Sequence, residues 1–224
     1  MIKMHDGGFV GLDGYMADDL SVINSARVSF SKRSESFGEA EMGLLNFLMR
    51  ERHGTPFEHN SFRFHVRCPI FVAREWFRHR IGSFNELSGR YTELPSEAYV
   101  PDAEYVRTQT GKPGSYSFVA MTADIAEIAK DRIGEAYAHA FNTYRSLLAA
   151  GVAKEVARMV LPVGTYTEFY WTVNARSLMN FLSLRTAPTA QREIRDYADA
   201  VESHFASAMP ATHSAWIDNG KVAP

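Results

Sequence analysis

Residues 74–91 read REWFRHRIGSFNELSGRY, and this polar stretch follows an apolar segment of the chain. It contains four arginines, one histidine, two serines, one asparagine and two glutamates. Arginine is rarely fully buried unless it is paired, so core packing does not require such a cluster. A planar guanidinium suits phosphates and the faces of aromatic heterocycles. The segment therefore predicts a site for a nucleotide-like anion.

A simpler interpretation exists for Arg78 and Arg80, which flank His79 at the end of a helix predicted over 69–80. Cations in the last turn of a helix are favoured by its macrodipole, so these arginines could only cap the helix. The residues that follow weaken this alternative, because they add donors, acceptors and two glycines that let the backbone approach a ligand: Gly82, Asn85, Glu86, Ser88, Gly89 and Arg90.

Composition limits the classes of function. The 224 residues are 46% hydrophobic and carry a formal net charge of −2, so the basic cluster is local. A nucleic-acid-binding protein usually has a clear positive excess, and this argues against the rival hypothesis of an RNA-binding fold. The single cysteine excludes an intrachain disulfide. With no signal-peptide pattern and no apolar run of ~20 residues, we expect a cytoplasmic protein that does not enter membranes.

Hydrophobic periodicity predicts helices over 39–50, 69–80, 123–150, 153–160, 174–185 and 191–209. The segment 21–30 opens with a possible N-cap. Alternation and β-branched or aromatic residues predict strands over 62–66 and 164–173. Residues 83–91 are predicted as loop or extended chain, 94–101 as strand or coil, and 109–115 as a surface loop. There is no glycine-rich dinucleotide fingerprint and no P-loop, so we expect one α+β domain over 1–224 without a Rossmann fold.

A second polar cluster comprises Glu155, Arg158, Asn174, Arg176, Asn180 and Arg185. Asn174, Leu178, Phe181 and Arg185 share one face of a helix by their spacing. Arg185 either extends along the apolar surface and caps the helix or projects into a pocket, and spacing alone leaves both open. Asn174 could equally be an N-cap.

His53, Glu58 and His59 suggest a metal site, but Gly54 and Pro56 break the helix that a His-Glu-x-x-His zinc site needs. A turn with polar groups facing a cleft is favoured, and no metal is expected. Cys68 is expected to be a buried structural thiol.

Residues 78–91 match Arg-His-Arg-x-x-Ser-x-Asn-x-x-Ser-x-Arg-Tyr, a long pattern that resembles that of the flavin-dependent thymidylate synthases. The resemblance extends to Ala-Arg-Val-Ser-Phe at 26–30, Thr-Pro-Phe-Glu-His at 55–59, Glu-Val-Ala-Arg at 155–158, and 171–182. It implies a single catalytic α+β domain, with mixed helices around a small antiparallel sheet. It also implies a homotetramer whose FAD sites are shared between subunits, binding neither nucleic acid nor membrane.

The resemblance further implies conversion of dUMP to dTMP, with a one-carbon unit from 5,10-methylenetetrahydrofolate and NADPH to reduce the flavin. The residues implied to contact flavin are Thr55, Arg78, His79, Arg80, Glu86, Asn174, Ala175, Arg176 and Asn180. Those implied to form the dUMP site are Glu75, Trp76, Phe77, Arg78, Glu86, Leu87, Ser88, Gly89, Arg90, Arg158 and Arg185. His53 falls where the family places folate near flavin.

Arg185 is implied to be catalytic. Uracil needs electron density at C5 before it attacks an electrophilic carbon, and a guanidinium at its N3 and carbonyl edge would stabilise the negative charge. Ser88 and Arg90 would serve the nucleotide phosphate, and no cysteine or serine nucleophile is required. The rival from another class is a nucleotide-binding module without catalysis, which would lack the yellow colour of a flavoprotein.

The chain departs from the family at Glu75, where glutamine is common. A carboxylate cannot donate a hydrogen bond unless it is protonated, so a side-chain contact to dUMP that needs a donor is not expected, whereas a backbone contact would persist. Residues 108–117 have no clear family counterpart and are expected to be an exposed insertion.

Overall fold

Strands β3 and β7 form the centre of the molecule. The computed structural model describes residues 1–224, and its main sheet has five antiparallel strands in the order β1-β2-β3-β7-β4. Strands β5 and β6 form a separate hairpin. The strands are β1 Ile2–Lys3, β2 Phe9–Met16, β3 Ser61–Pro69, β4 Ser83–Glu86, β5 Arg107–Lys112, β6 Ser115–Ala120 and β7 Tyr166–Asn174. The helices are α1 Asp19–Arg27, α2 Glu39–Arg50, α3 Thr55–Glu58, α4 Ile70–Trp76, α5 Ala123–Ala149, α6 Lys154–Ala157, α7 Ala175–Arg185, α8 Arg192–Ala208 and α9 Pro210–Asp218.

Apolar and polar residues alternate along β3 and β7, so the apolar face of the sheet is the one covered by the core. Phe62, Phe64 and Val66 of β3 are buried together with Phe169 and Trp171 of β7. Helices α1, α2, α3, α4, α7, α8 and α9 supply most of the rest of this core. The opposite face carries polar residues, including His65, which lies 2.6 Å from Glu168. The expected α+β class with a small antiparallel sheet is confirmed.

Helices with strong local periodicity lie close to where the sequence predicts them, α2 and α5 among them. The helix predicted over 69–80 is shorter, because Pro69 belongs to β3 and α4 ends at Trp76. The surface loop predicted over 109–115 is wrong: residues 107–120 form the β5–β6 hairpin with Pro113 and Gly114 at its tip. The glycine and proline residues mark only the turn, while the pairing itself is a cross-strand property. Strand β2 and helix α9 are not predicted from the sequence.

Helix α5 has 27 residues, of which only Ala126, Phe141 and Tyr144 are buried. Ile125 and Ile128 are 48% and 59% exposed. The first turns of this helix therefore leave large apolar side chains exposed, although Ala126 is buried. None of the helices combines the length and apolar character needed to cross a membrane.

Candidate functional site

Helix α4 ends at a buried tryptophan. Trp76 is fully buried and packs against Phe169, Trp171 and Phe181 with ring centroids 4.7–5.4 Å apart. The chain leaves the helix directly after it, so Arg78 and Arg80 follow the helix end, and the cation in the last turn is Arg74. Helix capping therefore does not account for Arg78 and Arg80.

Helix α7 begins and ends on polar residues of the candidate site. The Asn174 side chain accepts a hydrogen bond of 2.8 Å from the Ser177 amide, so the N-cap interpretation is confirmed. Leu178 and Phe181 are fully buried on the predicted face, which directs Arg185 from the last turn towards α4. Its side chain donates to residues of the α4 region and not to the carbonyls of its own helix, so it projects into a pocket.

The largest of the cavities relevant to these clusters is a cleft of about 770 Å³ along α7, here called the α7 cleft. Six of the nine residues that the family resemblance assigns to flavin line it. Its lining residues are Glu58, Arg78, His79, Arg80, Ile81, Asn174, Arg176, Ser177, Asn180, Leu184, Arg185, Ala223 and Pro224.

The α7 cleft is strongly cationic. Four arginines line it against one carboxylate, that of Glu58. Only Arg176 and Arg185 form ion pairs, and Arg176 Nη1 lies 2.6 Å from Glu58 Oε1. Arg78 and Arg80 are exposed, and their donors are available to an anion.

The remaining three residues assigned to flavin are placed differently. Thr55 is exposed at the start of α3, which packs against α7 beside the cleft. Ala175 is fully buried, so it can offer only its backbone. Glu86 does not line the α7 cleft; it lies at the end of β4, where its carboxylate accepts a hydrogen bond of 2.7 Å from Thr167.

A second cavity of about 570 Å³, here called the α4 cavity, is lined by Phe71, Arg74, Glu75, Arg78, Val163 and Arg185. Arg78 and Arg185 line both this cavity and the α7 cleft. These two arginines therefore stand between the two spaces, and each can contact ligands on both sides. Arg74 is a lining residue that the sequence analysis left without a role, although it lies in the quoted segment.

Three hydrogen bonds fix the guanidinium of Arg185. Its Nε donates to His79 Nε2 at 3.0 Å, its Nη1 to the Glu75 carboxylate at 3.0 Å, and its Nη2 to the Glu75 backbone carbonyl at 3.1 Å. The side chains of Arg185 and Glu75 are 19% and 27% exposed. Both acceptor residues, Glu75 and His79, lie at or just after the end of α4. They are 110 and 106 positions from Arg185 in the sequence.

The surroundings shift the titration of both partners of Arg185. Burial and the neighbouring Arg185 lower the pKa of His79 from its ordinary 6.5 to about 4, so the ring is neutral at pH 7 and can accept the guanidinium hydrogen bond. Burial raises the pKa of Glu75, an effect that Arg185 opposes and Glu193 reinforces.

The lowered pKa of His79 predicts a pH dependence of stability. Between pH 6.5 and about 4 the unfolded chain binds a proton at this histidine that the folded chain does not, so the free energy of unfolding falls as the pH is lowered. We expect a shallower fall in His79→Asn, measured by urea denaturation across this range. His139→Asn, which changes an exposed histidine of α5, should retain the wild-type slope. Equal slopes in all three proteins would contradict the assigned protonation of His79.

The other half of the predicted nucleotide site lies elsewhere. A Cβ on the buried Gly89 would lie 3.1 Å from Arg158 Cδ, so the segment Glu86–Arg90 and Arg158 are neighbours. Arg90 lies 3.1 Å from Glu155. None of Glu86, Leu87, Ser88, Gly89, Arg90 and Arg158 lines the α7 cleft or the α4 cavity.

The sheet register separates this second group from the Asn174 end of the α7 cleft. The Leu87 amide donates to the Glu168 carbonyl, six residues along β7 from Asn174. At the rise of an extended strand this corresponds to about 20 Å. Since none of the second group lines either space, one chain presents two polar clusters: the arginines of the α7 cleft and α4 cavity, and the group formed by Ser88, Arg90 and Arg158.

Trp76 and Phe77 contribute to the site mainly as packing. Trp76 is fully buried, so a ligand could reach only its backbone, and Phe77 packs on Phe84 and Phe169. His53 is exposed and packs edge-on against Phe47 at 5.6 Å. Cys68 is fully buried.

A further cavity of about 470 Å³ lies between the N-terminal segment and α8. Asp6, Glu193, Asp196 and Asp199 are among its lining residues. These carboxylates disfavour a nucleotide phosphate, so the arginine-lined spaces are the better candidates for an anionic ligand.

Comparison with known proteins finds matches over most of the chain. The family model described as "Thymidylate synthase complementing protein" matches residues 12–211. A flavin-dependent thymidylate synthase of Streptomyces coelicolor is 48% identical over 221 residues, covering 93% of this chain and 90% of that protein. One of Thermosipho africanus is 46% identical over 215 residues, covering 96% and 93%.

Two solved structures superpose on the whole of this chain. The UMP/dUMP methylase PolB from Streptomyces cacaoi, bound with 5-Br dUMP, superposes with a TM-score of 0.92 at 44% identity, covering all of both chains. Its structure bound with 5-Br UMP gives a TM-score of 0.91 at 45% identity, covering 100% of this chain and 99% of that one.

Proposed function

The chain belongs to the flavin-dependent thymidylate synthase family, and from that premise we propose that residues 1–224 form one catalytic domain that converts dUMP to dTMP. The proposed carbon donor is 5,10-methylenetetrahydrofolate. The observation that carries the assignment of the site is the pair Arg78 and Arg185, which lies between a cationic cleft and a second cavity.

The α7 cleft fits FAD. Its volume of about 770 Å³ is within the range of cofactor sites, and the two arginines outside ion pairs, Arg78 and Arg80, match the two negative charges of a pyrophosphate. Asn174 and Asn180 add side-chain amides that can hydrogen-bond to a heterocycle. We assign Thr55, Arg78, His79, Arg80, Asn174, Ala175, Arg176 and Asn180 to flavin binding, with Glu86 contributed by another subunit. When bound and reduced by NADPH, FAD supplies the hydride.

The α4 cavity is proposed to hold the uracil ring of dUMP. A guanidinium has five N–H groups, and the three hydrogen bonds of Arg185 leave two for a ligand. Directed at N3 and a carbonyl of the pyrimidine, these two groups would stabilise the negative charge that makes C5 nucleophilic. The backbone of residues 75–78 would line the same nucleotide.

The phosphate half of the dUMP site is proposed to come from another subunit of a homotetramer. Leu87, Ser88, Gly89, Arg90 and Arg158 lie apart from the α4 cavity within one chain, yet offer two guanidiniums, a hydroxyl and backbone amides to a phosphate. Exposed apolar residues at the start of α5 are consistent with further association. His53, exposed two residues before α3, is assigned to the folate region.

A protein nucleophile is not part of the proposal. Cys68 is fully buried, and burial raises the pKa of its thiol well above the ordinary value, so the reactive thiolate is disfavoured. Polarisation of the uracil by Arg185 takes the place of covalent activation.

The direct test is an assay of the purified protein with FAD, NADPH, methylenetetrahydrofolate and dUMP. We expect a yellow protein that forms dTMP, with no product when NADPH, methylenetetrahydrofolate or dUMP is withheld. A colourless protein that cannot take up FAD would support the rival binding module instead. UMP should be assayed in parallel, because the solved relative is named a UMP/dUMP methylase, and methylation of UMP would extend the substrates to ribonucleotides.

The assignment of the α7 cleft to flavin predicts the effect of a small substitution. A Cβ added to Gly54 would lie 2.6 Å from Arg176 Cζ and closer still to its Nε, so alanine would displace this arginine from the cleft wall. Loss of one charge-assisted contact should weaken FAD binding about tenfold, measured by flavin fluorescence.

Gly43→Ala is the matched control, because it adds the same methyl group in α2 where nothing lies within 4 Å. It should bind FAD as the wild type does. Equal FAD affinity of the Gly54 and Gly43 variants would remove Arg176 from the flavin site.

A further inference from the structure

Glu75 makes the main contact to Arg185. Glu75 provides two of the three acceptors that hold the guanidinium: its carboxylate at 3.0 Å and its backbone carbonyl at 3.1 Å. The third acceptor is His79. The carboxylate bond uses Oε2, and Oε1 forms no hydrogen bond within the chain.

We propose that Glu75 is a positioning residue that fixes the plane of the Arg185 guanidinium through its carboxylate, and thereby turns the two remaining N–H groups into the α4 cavity. The proposal rests on the proposed function, since it assigns Arg185 to the uracil ring. It concerns the side chain of Glu75. A direct contact between this side chain and dUMP is disfavoured, because a carboxylate cannot donate a hydrogen bond.

The geometry supports positioning in preference to simple charge pairing. The guanidinium is held at all three nitrogens by acceptors of one short segment, 75–79, so its plane has little freedom. Both side chains are mostly buried, at 19% and 27% exposure, and water competes weakly for this bond. A glutamine oxygen could accept the same hydrogen bond, so the family residue and Glu75 can serve the same purpose.

The carboxylate also has a cost for the reaction. Its negative charge opposes the positive field that Arg185 directs at the pyrimidine, whereas an amide would leave that field intact. The charged groups around Glu75 are Arg185 from α7, Glu193 from α8, and Arg74 and Arg78 on the wall of the α4 cavity. Glu75→Gln should therefore retain or exceed wild-type turnover, while Glu75→Ala should not.

The experiment compares Glu75→Ala and Glu75→Gln with the flavin-loaded wild type in the dTMP assay. For Glu75→Ala we expect kcat to fall about tenfold or more, because a misplaced catalytic group loses its alignment. FAD affinity should stay within about twofold, because Glu75 does not line the α7 cleft. Glu75→Gln should restore kcat. On an Arg185→Lys background, Glu75→Ala should add less than about a twofold loss, as expected for residues that act together.

Glu41→Gln is the matched control. Glu41 forms a similarly buried pair with Arg27 at 3.0 Å, remote from both cavities, and its substitution should leave kcat unchanged. Wild-type kcat in Glu75→Ala, or equal losses in the alanine and glutamine variants, would overturn the proposal.

A crystal structure of flavin-loaded Glu75→Ala separates this proposal from the proposed function, because it needs no turnover. We expect the Arg185 guanidinium to leave the position set by its contact with His79. A displaced guanidinium in a protein whose wild type forms no dTMP would refute the proposed function and support positioning. An unmoved guanidinium would refute positioning, whatever the activity.

Discussion

Arg185→Ala is expected to lower dTMP formation by about 10²–10³-fold, the usual cost of removing one donor that stabilises developing negative charge. The structure gives the physical reason: two N–H groups remain after three are bound, and Arg185 lines a cavity of about 570 Å³ beside the proposed flavin cleft. Single-turnover measurement of dTMP from the reduced, flavin-loaded enzyme isolates this effect from product release.

Retention of FAD distinguishes a lost catalytic group from a lost fold. We expect Arg185→Ala to bind FAD, since three other arginines still line the α7 cleft. Arg63→Ala is a suitable control. Arg63 lies in β3, forms an ion pair of 2.7 Å with Asp13, and lines neither the α7 cleft nor the α4 cavity. Turnover of Arg185→Ala equal to that of this control would exclude Arg185 from the mechanism.

Trp76→Ala is expected to lower the free energy of unfolding by about 3–5 kcal/mol, the range for removing a large buried aromatic side chain. Trp76 is fully buried at the junction of α4, β7 and α7, with Phe181 at 4.7 Å and Phe169 at 5.4 Å. The void left by the missing indole would loosen the end of α4 and the chain just after it, which carry Glu75 and Arg78. Urea denaturation at fixed protein concentration measures the change.

Trp76→Phe is the matched control. The indole Nε1 of Trp76 has no hydrogen-bond partner, so replacing the indole by a phenyl ring sacrifices no polar contact. The loss should be less than half of that caused by alanine, because most of the buried ring area is kept. Similar losses in both variants would mean that ring packing does not explain the stability of this junction.

Local patterns predict those parts of the fold that depend on local sequence. Helix α2 coincides with its predicted bounds, and β7 and α7 lie within a few residues of theirs, because apolar spacing and N-cap chemistry act over a few residues. The hairpin at 107–120 and strand β2 depend on pairing between strands, which spacing does not reveal. The predicted helix at 69–80 is too long because Pro69 pairs within β3 and the chain leaves the helix after Trp76, and apolar spacing reveals neither.

In the candidate site, too, the local sequence predicts some features, whereas others depend on tertiary packing. The sequence predicts both arginine clusters and the two alternatives for Arg185, and the family pattern assigns the residues to ligands. It does not predict that Arg185 contacts Glu75 across 110 residues, or that Arg78 and Arg185 line two cavities at once. These depend on how α4 and α7 pack on the sheet, and the roles of the residues remain predictions until they are tested.

We propose that the two polar clusters, separate within one chain, form one nucleotide site between subunits. To test this, Arg185→Ala and Arg90→Ala, each expected to be inactive alone, are unfolded, mixed and refolded, and dTMP formation is assayed after mass spectrometry has verified mixed oligomers. If the two arginines come from different chains, about one quarter of the sites in a random mixture contain both, and turnover should recover to about that fraction of the wild type. Mixed oligomers without any recovery would contradict the claim, because both arginines would then have to act within the same chain.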